Sequence, residues 1–278
     1  IDTATSTMQV YDSSLDYYSN DNSPDSNVKL LIHADEATGA TSLDDASDSN
    51  HTITATGNAS TTDTTTKFSN SVASIASGDY LKITPSNADF DWGTGDFTID
   101  FWVNPNDSTS MGMVTNYDES GSGYFSLNIS TDGSDVVQSS GYYGTTLWQI
   151  ANENITLTDG VWSHIAIVRN NTDIKLFVDG VQSGDTYNIA ANSLNTCSNF
   201  YVGASTGNEI SFGKTNGYID EFRASKGVAR WTSAFTPPTS AYSVGASATL
   251  ISQTTLAETQ PDQANIVMLV ENSTTTPT

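Results

Sequence analysis

The pair Asp179-Gly180, set between KLFV and VQS, is the feature that most constrains how this chain folds. Two strand-like runs joined by Asp-Gly are the preferred chemistry of a tight hairpin, because its turn positions need positive φ. With VWSHIAIVR (161–169) before it, the stretch DIKLFVDGVQSG (173–184) makes residues 161–184 a region of β structure. The segment GDFTIDFWVNP (95–105) alternates cleanly. Phe97, Ile99, Phe101 and Val103 face one side, and Thr98, Asp100 and Trp102 face the other. Pro105 ends this run. VKLLIHA (28–34) is apolar on both faces, as a covered strand should be.

Shorter β runs complete the pattern. SVASIA and DYLKI lie after a polar stretch that extends from Asp35 to about Lys67. YFSLNIS (124–130) leads into an Asp132-Gly133 turn, NFYVGA (199–204) follows later, and Asn216-Gly217 turns into GYIDEFRA (217–224). A turn of helix is expected only at SKGVARW (225–231). Strands that recur between turn signals, with almost no helical period, specify a sandwich of two antiparallel sheets.

The 278 residues suffice for one large all-β domain with a small addition at either end. Residues 1–27 are rich in Asp, Ser, Asn and Tyr without periodicity, and read as an extended N-terminal arm. The domain itself spans 28–242. Residues 243–278 read as a linker and the start of a small β segment or further module. There, SATLISQTTL (247–256) and NIVMLVEN (265–272) form extra C-terminal strands with no hydrophobic partner of their own.

The chain carries 32 acidic and 9 basic residues, a formal net charge of −23. Nucleic acid is therefore not an expected partner, since phosphate binding needs clustered Lys and Arg. Such a surface attracts divalent cations instead. No run of 18 apolar residues occurs, so no membrane insertion is expected. The single cysteine, Cys197, excludes an internal disulfide, and its neighbours Phe200 and Tyr201 suggest a buried thiol. The Ser/Thr/Asn/Gly-rich background suits a virion or extracellular setting. No signal peptide is visible, and a start at Ile1 is what processing or excision leaves.

GDFTIDFWVNP, LTDGVWSHIAIVRNNTDIKLFVDGVQSG and GYIDEFRASKGVARWTSAFTPP occur in this order. Together they resemble the laminin-G-like, concanavalin A-like lectin/glucanase superfamily. The resemblance covers 28–242 and implies a jelly roll with six or seven strands in each sheet. KGVARWTSAFTPP followed by ATLISQTTLAETQPDQANIVMLVEN also resembles modules of phage proteins, marine ones in particular, where they are attached to tail or other virion structural proteins. Fold does not fix function, because the superfamily holds lectins, adhesion modules and glycan-cleaving enzymes.

The glycosidases of that superfamily need two carboxylates on one strand face. TIDFW offers only Asp100. In YIDEF, adjacent Asp220 and Glu221 should point to opposite faces, so no catalysis is expected. Calcium fits better, because it takes hard oxygen ligands. HADEATGATSLDDASDSNHT packs Asp35, Glu36, Asp44, Asp45 and Asp48 after a strand. The resemblance implies a structural ion between such an early loop and a late strand, held by Asp35 and Asp220, with Asp44 and Asp45 as weaker candidates.

Glycan binding asks for aromatic faces beside amides and carboxylates. SGYYGTTLWQIANEN (140–154) reads as a loop offering Tyr142, Tyr143, Trp148, Gln149, Asn152 and Glu153, with Asn116, Tyr117 and Asp118 from a neighbouring loop. Trp102 and Trp162 are expected in core or inter-sheet packing, and His164 as a packed histidine. Arg223, Arg230 and Trp231 are expected to fix the SKGVARW turn against the sheet. The expected function is a non-catalytic, calcium-stabilised, lectin-like module of a phage virion structural protein (tail fibre, tail or capsid decoration). Its partners would be surface glycan and other virion subunits, or further copies of itself. The alternatives are a purely structural virion protein without glycan binding, and a bacterial surface adhesin.

Overall fold

The computed structural model describes residues 26–74, 78–84, 88–117, 125–150, 155–197, 199–205 and 215–242. The chain divides into a unit of residues 1–245 and a unit of residues 246–278, and the account below concerns the first. The arm proper and the two C-terminal strands expected from the sequence lie outside the described residues.

Sixteen strands occur among the described residues: β1 (Val28–Ile32), β2 (Ser42–Leu43), β3 (Thr52–Thr56), β4 (Ser60–Thr62), β5 (Ser71–Ser74), β6 (Tyr80–Thr84), β7 (Phe97–Pro105), β8 (Gly112–Tyr117), β9 (Phe125–Thr131), β10 (Val137–Tyr143), β11 (Thr146–Ile150), β12 (Ser163–Asn170), β13 (Asp173–Val178), β14 (Val181–Asn188), β15 (Asn199–Val202) and β16 (Gly217–Lys226). They build two eight-stranded antiparallel sheets, a jelly-roll sandwich with more strands per sheet than the resemblance implied. The first sheet runs β14-β13-β12-β7-β16-β5-β4, with β1 also on β16. The second runs β11-β10-β9-β8-β15-β6-β3-β2.

The alternation read in 97–105 holds. Phe97, Ile99, Phe101 and Val103 enter the core between the sheets, where they join Ile165, Ile167 and Leu176 of the first sheet and Met113, Leu127, Ile83 and Phe200 of the second. Aromatic packing knits the layers together: Phe200 of the second sheet meets Phe222 of the first edge-on at 6.0 Å, while Phe90 stacks on Phe200 at 4.6 Å and Phe101 on Phe222 at 5.5 Å. Each such side chain contributes about 1.5–3 kcal/mol by leaving water. The predicted hairpin joins β13 to β14, with φ of 49° at Asp179 and 77° at Gly180.

β16 departs from simple alternation. A bulge between Asp220 and Arg223 places Glu221 at φ 49°, so the inward positions become Ile219, Phe222 and Ala224. Such an extra residue bends a strand and re-aims its side chains. Asp220 and Glu221 therefore do not sit on opposite faces as alternation requires. Glu221 Oε2 accepts the Tyr242 amide, and Asp220 pairs across the ladder with Trp102.

No helix forms at 225–231. The strand continues to Lys226, and Gly227 (φ 85°) releases the chain into an irregular strap, residues 227–242, over the outer face of the first sheet. The sheet itself satisfies backbone groups that a helix would have paired internally. Gly227 N donates to Asp96 O, Thr98 Oγ1 to Val228 O, and Arg230 N to Thr98 Oγ1. Trp231 and Phe235 stack at 4.0 Å and cover Ala166, Val168 and Phe177. His164 is buried against Trp102, Trp231 and Phe235. Trp102 packs on this outer face, outside the inter-sheet core, and Trp162 is half-buried just before β12. Cys197 is buried, its thiol 3.9 Å from Asn195 O.

Candidate functional site

The strap leaves the two outer faces of the sandwich unlike each other. On the first sheet it seals a polar cluster. Asp100 receives Arg223 Nε at 3.0 Å and Nη2 at 3.3 Å, lies 3.4 Å from His164 Nε2, and accepts the Tyr242 hydroxyl. Burial alone would push the Asp100 carboxyl up, but the Arg223 guanidinium and His164 hold it down at about 2. All four residues are at most 3% exposed, so this acid–base set meets no substrate and serves as a buried anchor for the strap.

The acidic loop does not assemble the expected calcium ligands. Asp45 is buried and its oxygens are already used: Oδ1 accepts Leu31 N and Ser47 N, and Oδ2 accepts His51 N. Asp44 and Asp35 are exposed, and Glu36 Oε1 accepts the Asp44 amide. Asp220 Oδ2 accepts Lys67 N and Phe68 N. No three His, Cys, Asp or Glu side chains gather as a metal would need among the described residues. His33 Nδ1 lies 2.9 Å from Glu221 Oε1; burial pulls its pKa down, but Glu221, Asp35 and Asp220 outweigh this and leave it raised. Asp45 folds the loop, and no three of the four carboxylates gather around one point among the described residues.

The second sheet is different. Of the stretch 140–154, read from sequence as a loop, residues 140–150 belong to the edge hairpin β10–β11. Its alternation sorts the predicted glycan residues by face. Trp148 is fully buried, against Tyr187 at 6.0 Å, and offers no face to a ligand. Tyr143 also turns inward, its hydroxyl 3.5 Å from that of Tyr187, whose pKa burial and this contact push up to about 12. Tyr142, Tyr117 and Gln149 belong to the outward positions. Asn116 is buried and bonds Asn199 O. Asn152, Glu153 and Asp118 lie outside the described residues.

Register places the outward residues in rows across the strands. One row crosses all eight strands: Gln149, Ser140, Asn128, Thr115, Tyr201, Lys82, Thr54 and Ser42. Beside it, Leu147 pairs with Tyr142, and Phe125 with Tyr117 and then Asn199. Phe125 meets Tyr142 edge-on at 5.2 Å, and Tyr80 meets Tyr201 at 5.6 Å. Amides link the strands: Gln149 Nε2 donates to Gln138 Oε1 (3.3 Å), Gln138 Nε2 to Ser130 Oγ (3.4 Å), and Asn128 Nδ2 to Ser130 Oγ (3.2 Å). Ser130 Oγ, accepting twice, keeps its own proton to donate. Asn128 Oδ1 is buried with no hydrogen-bond partner among the described residues. Neither row contains Asp or Glu, in a chain with 32 of them.

Phe125, Asn128, Ser130, Gln138 and Asn199 were missed as site residues, while Tyr201 in the same row is as buried as Trp148 and offers no ring face. The signal lay in FSLNIS and VQSSGYY, where every second residue is polar or aromatic. It is legible only once both segments are known to be strands.

Known structures share the architecture. The binding domain of Paraclostridial Mosquitocidal Protein 1 is 17% identical over 73% of this chain and 49% of that one, with a TM-score of 0.55. The binding domain of Botulinum Neurotoxin DC in complex with SialylT is 14% identical over 73% of this chain and 48% of its own, with a TM-score of 0.52. This chain thus spans about half the length of those toxin domains. Domain 4 of AbnA, a GH43 extracellular arabinanase from Geobacillus stearothermophilus, in complex with arabinotriose, is 18% identical over 77% of this chain and 96% of its own, with a TM-score of 0.52. At these identities the likeness is one of fold. The family model for the concanavalin A-like lectin/glucanases superfamily matches residues 75–232, more than half the sequence, and the chain belongs to that superfamily.

Proposed function

We propose that this chain is a non-catalytic carbohydrate-binding module that lays a saccharide across the outer face of its second sheet. The observation that carries the reading is the carboxylate-free double row of amides, hydroxyls and aromatic rings on a protein of net charge −23. Sugars present C–H faces to aromatic rings and hydroxyls to amides. The accessible edge of this face at Tyr142, Leu147 and Gln149 suits them, whereas Asn128, Thr115 and Tyr201 further along the row are buried. Asn128 Oδ1 lacks a donor among the described residues, and a sugar hydroxyl supplies one. An acceptor left unpaired out of water costs about 1–3 kcal/mol, so a ligand that satisfies it recovers part of that cost. The superfamily supports a binding role, and two of the similar structures hold SialylT and arabinotriose.

The module is assigned to a virion surface on the resemblance of KGVARWTSAFTPP and the residues after Ser247 to phage structural proteins. Proteomics of purified particles tests that setting. A glycan array followed by calorimetry tests the binding. Tyr142→Ala and Asn128→Ala are each expected to weaken the best ligand at least tenfold while the fold is kept. No glycan bound by the wild type, or full affinity in both variants, overturns the reading.

A further inference from the structure

The strap does not cover the first sheet completely. A cleft of about 510 Å³ lies beside it, lined by Trp102 and Phe68 on one side and by Pro237 and Pro238 of the strap on the other. This is within the size range of small-ligand sites. Phe68 meets Trp102 edge-on at 6.1 Å, and the Lys67 ammonium stands 3.6 Å above the Trp102 ring. The backbone of this corner is fixed, because Lys67 N and Phe68 N both donate to Asp220 Oδ2.

The cleft holds donors without acceptors of matching charge. No carboxylate lies within ion-pair distance of Lys67 among the described residues. Burial pulls the Lys67 pKa down, and Asp179 and Asp220 oppose this only through space. The Trp102 indole N–H is buried without an acceptor among the described residues, although the residue lines the cleft. Thr236 and Thr239 add exposed hydroxyls at its margin. An occupant must therefore bring a negative group to the ammonium, an acceptor to the indole, and an apolar face to the rings. A peptide strand is a poor match, because Pro237 and Pro238 have no N–H to pair with it.

We propose that this cleft is a second ligand site, separate from the open sheet face, which takes a sugar unit bearing a carboxylate. The carboxylate meets Lys67, the C–H face of the ring lies on Phe68 and the Pro237–Pro238 wall, and a sugar oxygen accepts from the Trp102 indole.

The test is a titration of the full ¹⁵N-labelled chain with glucuronic acid, N-acetylneuraminic acid and glucose. The indole N–H signal of Trp102 is identified by its loss in Trp102→Phe. At least one acid is expected to shift this signal at concentrations where glucose does not, and the stronger of the two names the class of acidic sugar. Lys67→Met should weaken that binding at least tenfold, Lys67→Arg should retain most of it, and Asn128→Ala on the other sheet should leave it unchanged. The proposal is overturned if neither acid moves the Trp102 signal, if glucose moves it equally, or if Lys67→Met binds like the wild type. Failure at Asn128 and Tyr142 with a responsive Trp102 would sink the open-face reading and spare this one.

Discussion

Asp220 is the residue whose charge state matters most to stability near neutral pH. Burial pushes its carboxyl up to about 7, with the Glu221 charge adding to this and the Lys67 and Phe68 amides opposing it. An unfolded aspartate titrates near 3.9, so over the interval from about 4 to about 7 the folded chain holds a proton that the unfolded chain has lost. Stability therefore falls as pH rises through that interval, by up to about 1.4 kcal/mol per unit. His33 acts in the same direction: its raised pKa gives stability at low pH that is lost as pH rises through the folded value. Asp100 acts oppositely, since a carboxyl held at about 2 withdraws stability only in strong acid. Melting temperature is thus expected to decline from pH 5 to pH 8, and Asp220→Asn should remove most of the decline. A flat profile in the wild type would show that the buried carboxyl is better solvated than its surroundings indicate.

At the level of elements, the Asp179-Gly180 turn does more than reverse the chain. A Cβ on Gly180 would lie 1.9 Å from Phe235 O, and Phe235 N donates to Gly180 O at 3.0 Å, so the strap docks on the turn itself. Gly180→Ala therefore meets both a positive φ of 77° and a backbone clash. It should cost about 1–3 kcal/mol in urea unfolding, in line with other overpacked sites. Turn chemistry made this hairpin legible, and although β4 lay unseen in a stretch read as polar, β1, β7, β12 and β16 stood out because both their faces are covered. The β10–β11 hairpin was not legible for the opposite reason. Its outer face is open to water and its inner face includes Ser139 and Gly141, where a Cβ at 141 would lie 2.0 Å from Ser126 O and 2.5 Å from Trp148 Nε1. Small residues on one side and polar residues on the other have the composition of a loop. The site was half visible for the same reason: Tyr142 and Tyr117 were found as aromatics, while the strand period that separates them from Tyr143 and Trp148 was hidden. SKGVARW, where the strap begins, was read as a turn of helix because its hydrogen-bond partners lie about 130 residues away, beyond any local pattern.

For the whole molecule, the question is how a chain of net charge −23 keeps two packed sheets together. Dispersed carboxylates repel one another at range, and that repulsion opposes the compact state. Salt screens it over a Debye length of about 10 Å at 0.1 M. Added electrolyte should therefore stabilise the fold whatever its identity, and a rise in melting temperature with calcium chloride is not by itself evidence of a bound ion. The two explanations separate at matched ionic strength. With Asp45 spent on three backbone amides and no carboxylate cluster gathered among the described residues, sodium and calcium chlorides at equal ionic strength should raise the melting temperature alike. EDTA in the same salt should leave it unchanged. A specific ion behaves otherwise, because a ligand that binds only the folded state adds RT ln(1 + [L]/Kd), or about 2.7 kcal/mol at a hundredfold excess over Kd, on top of screening. A calcium-specific rise of that size, abolished by EDTA and by Asp220→Asn, would restore the early acidic loop and the late strand as an ion site. Equal curves for the two salts leave the carboxylates as a solvated, self-repelling surface, with the acid-free rows of the second sheet set apart from it.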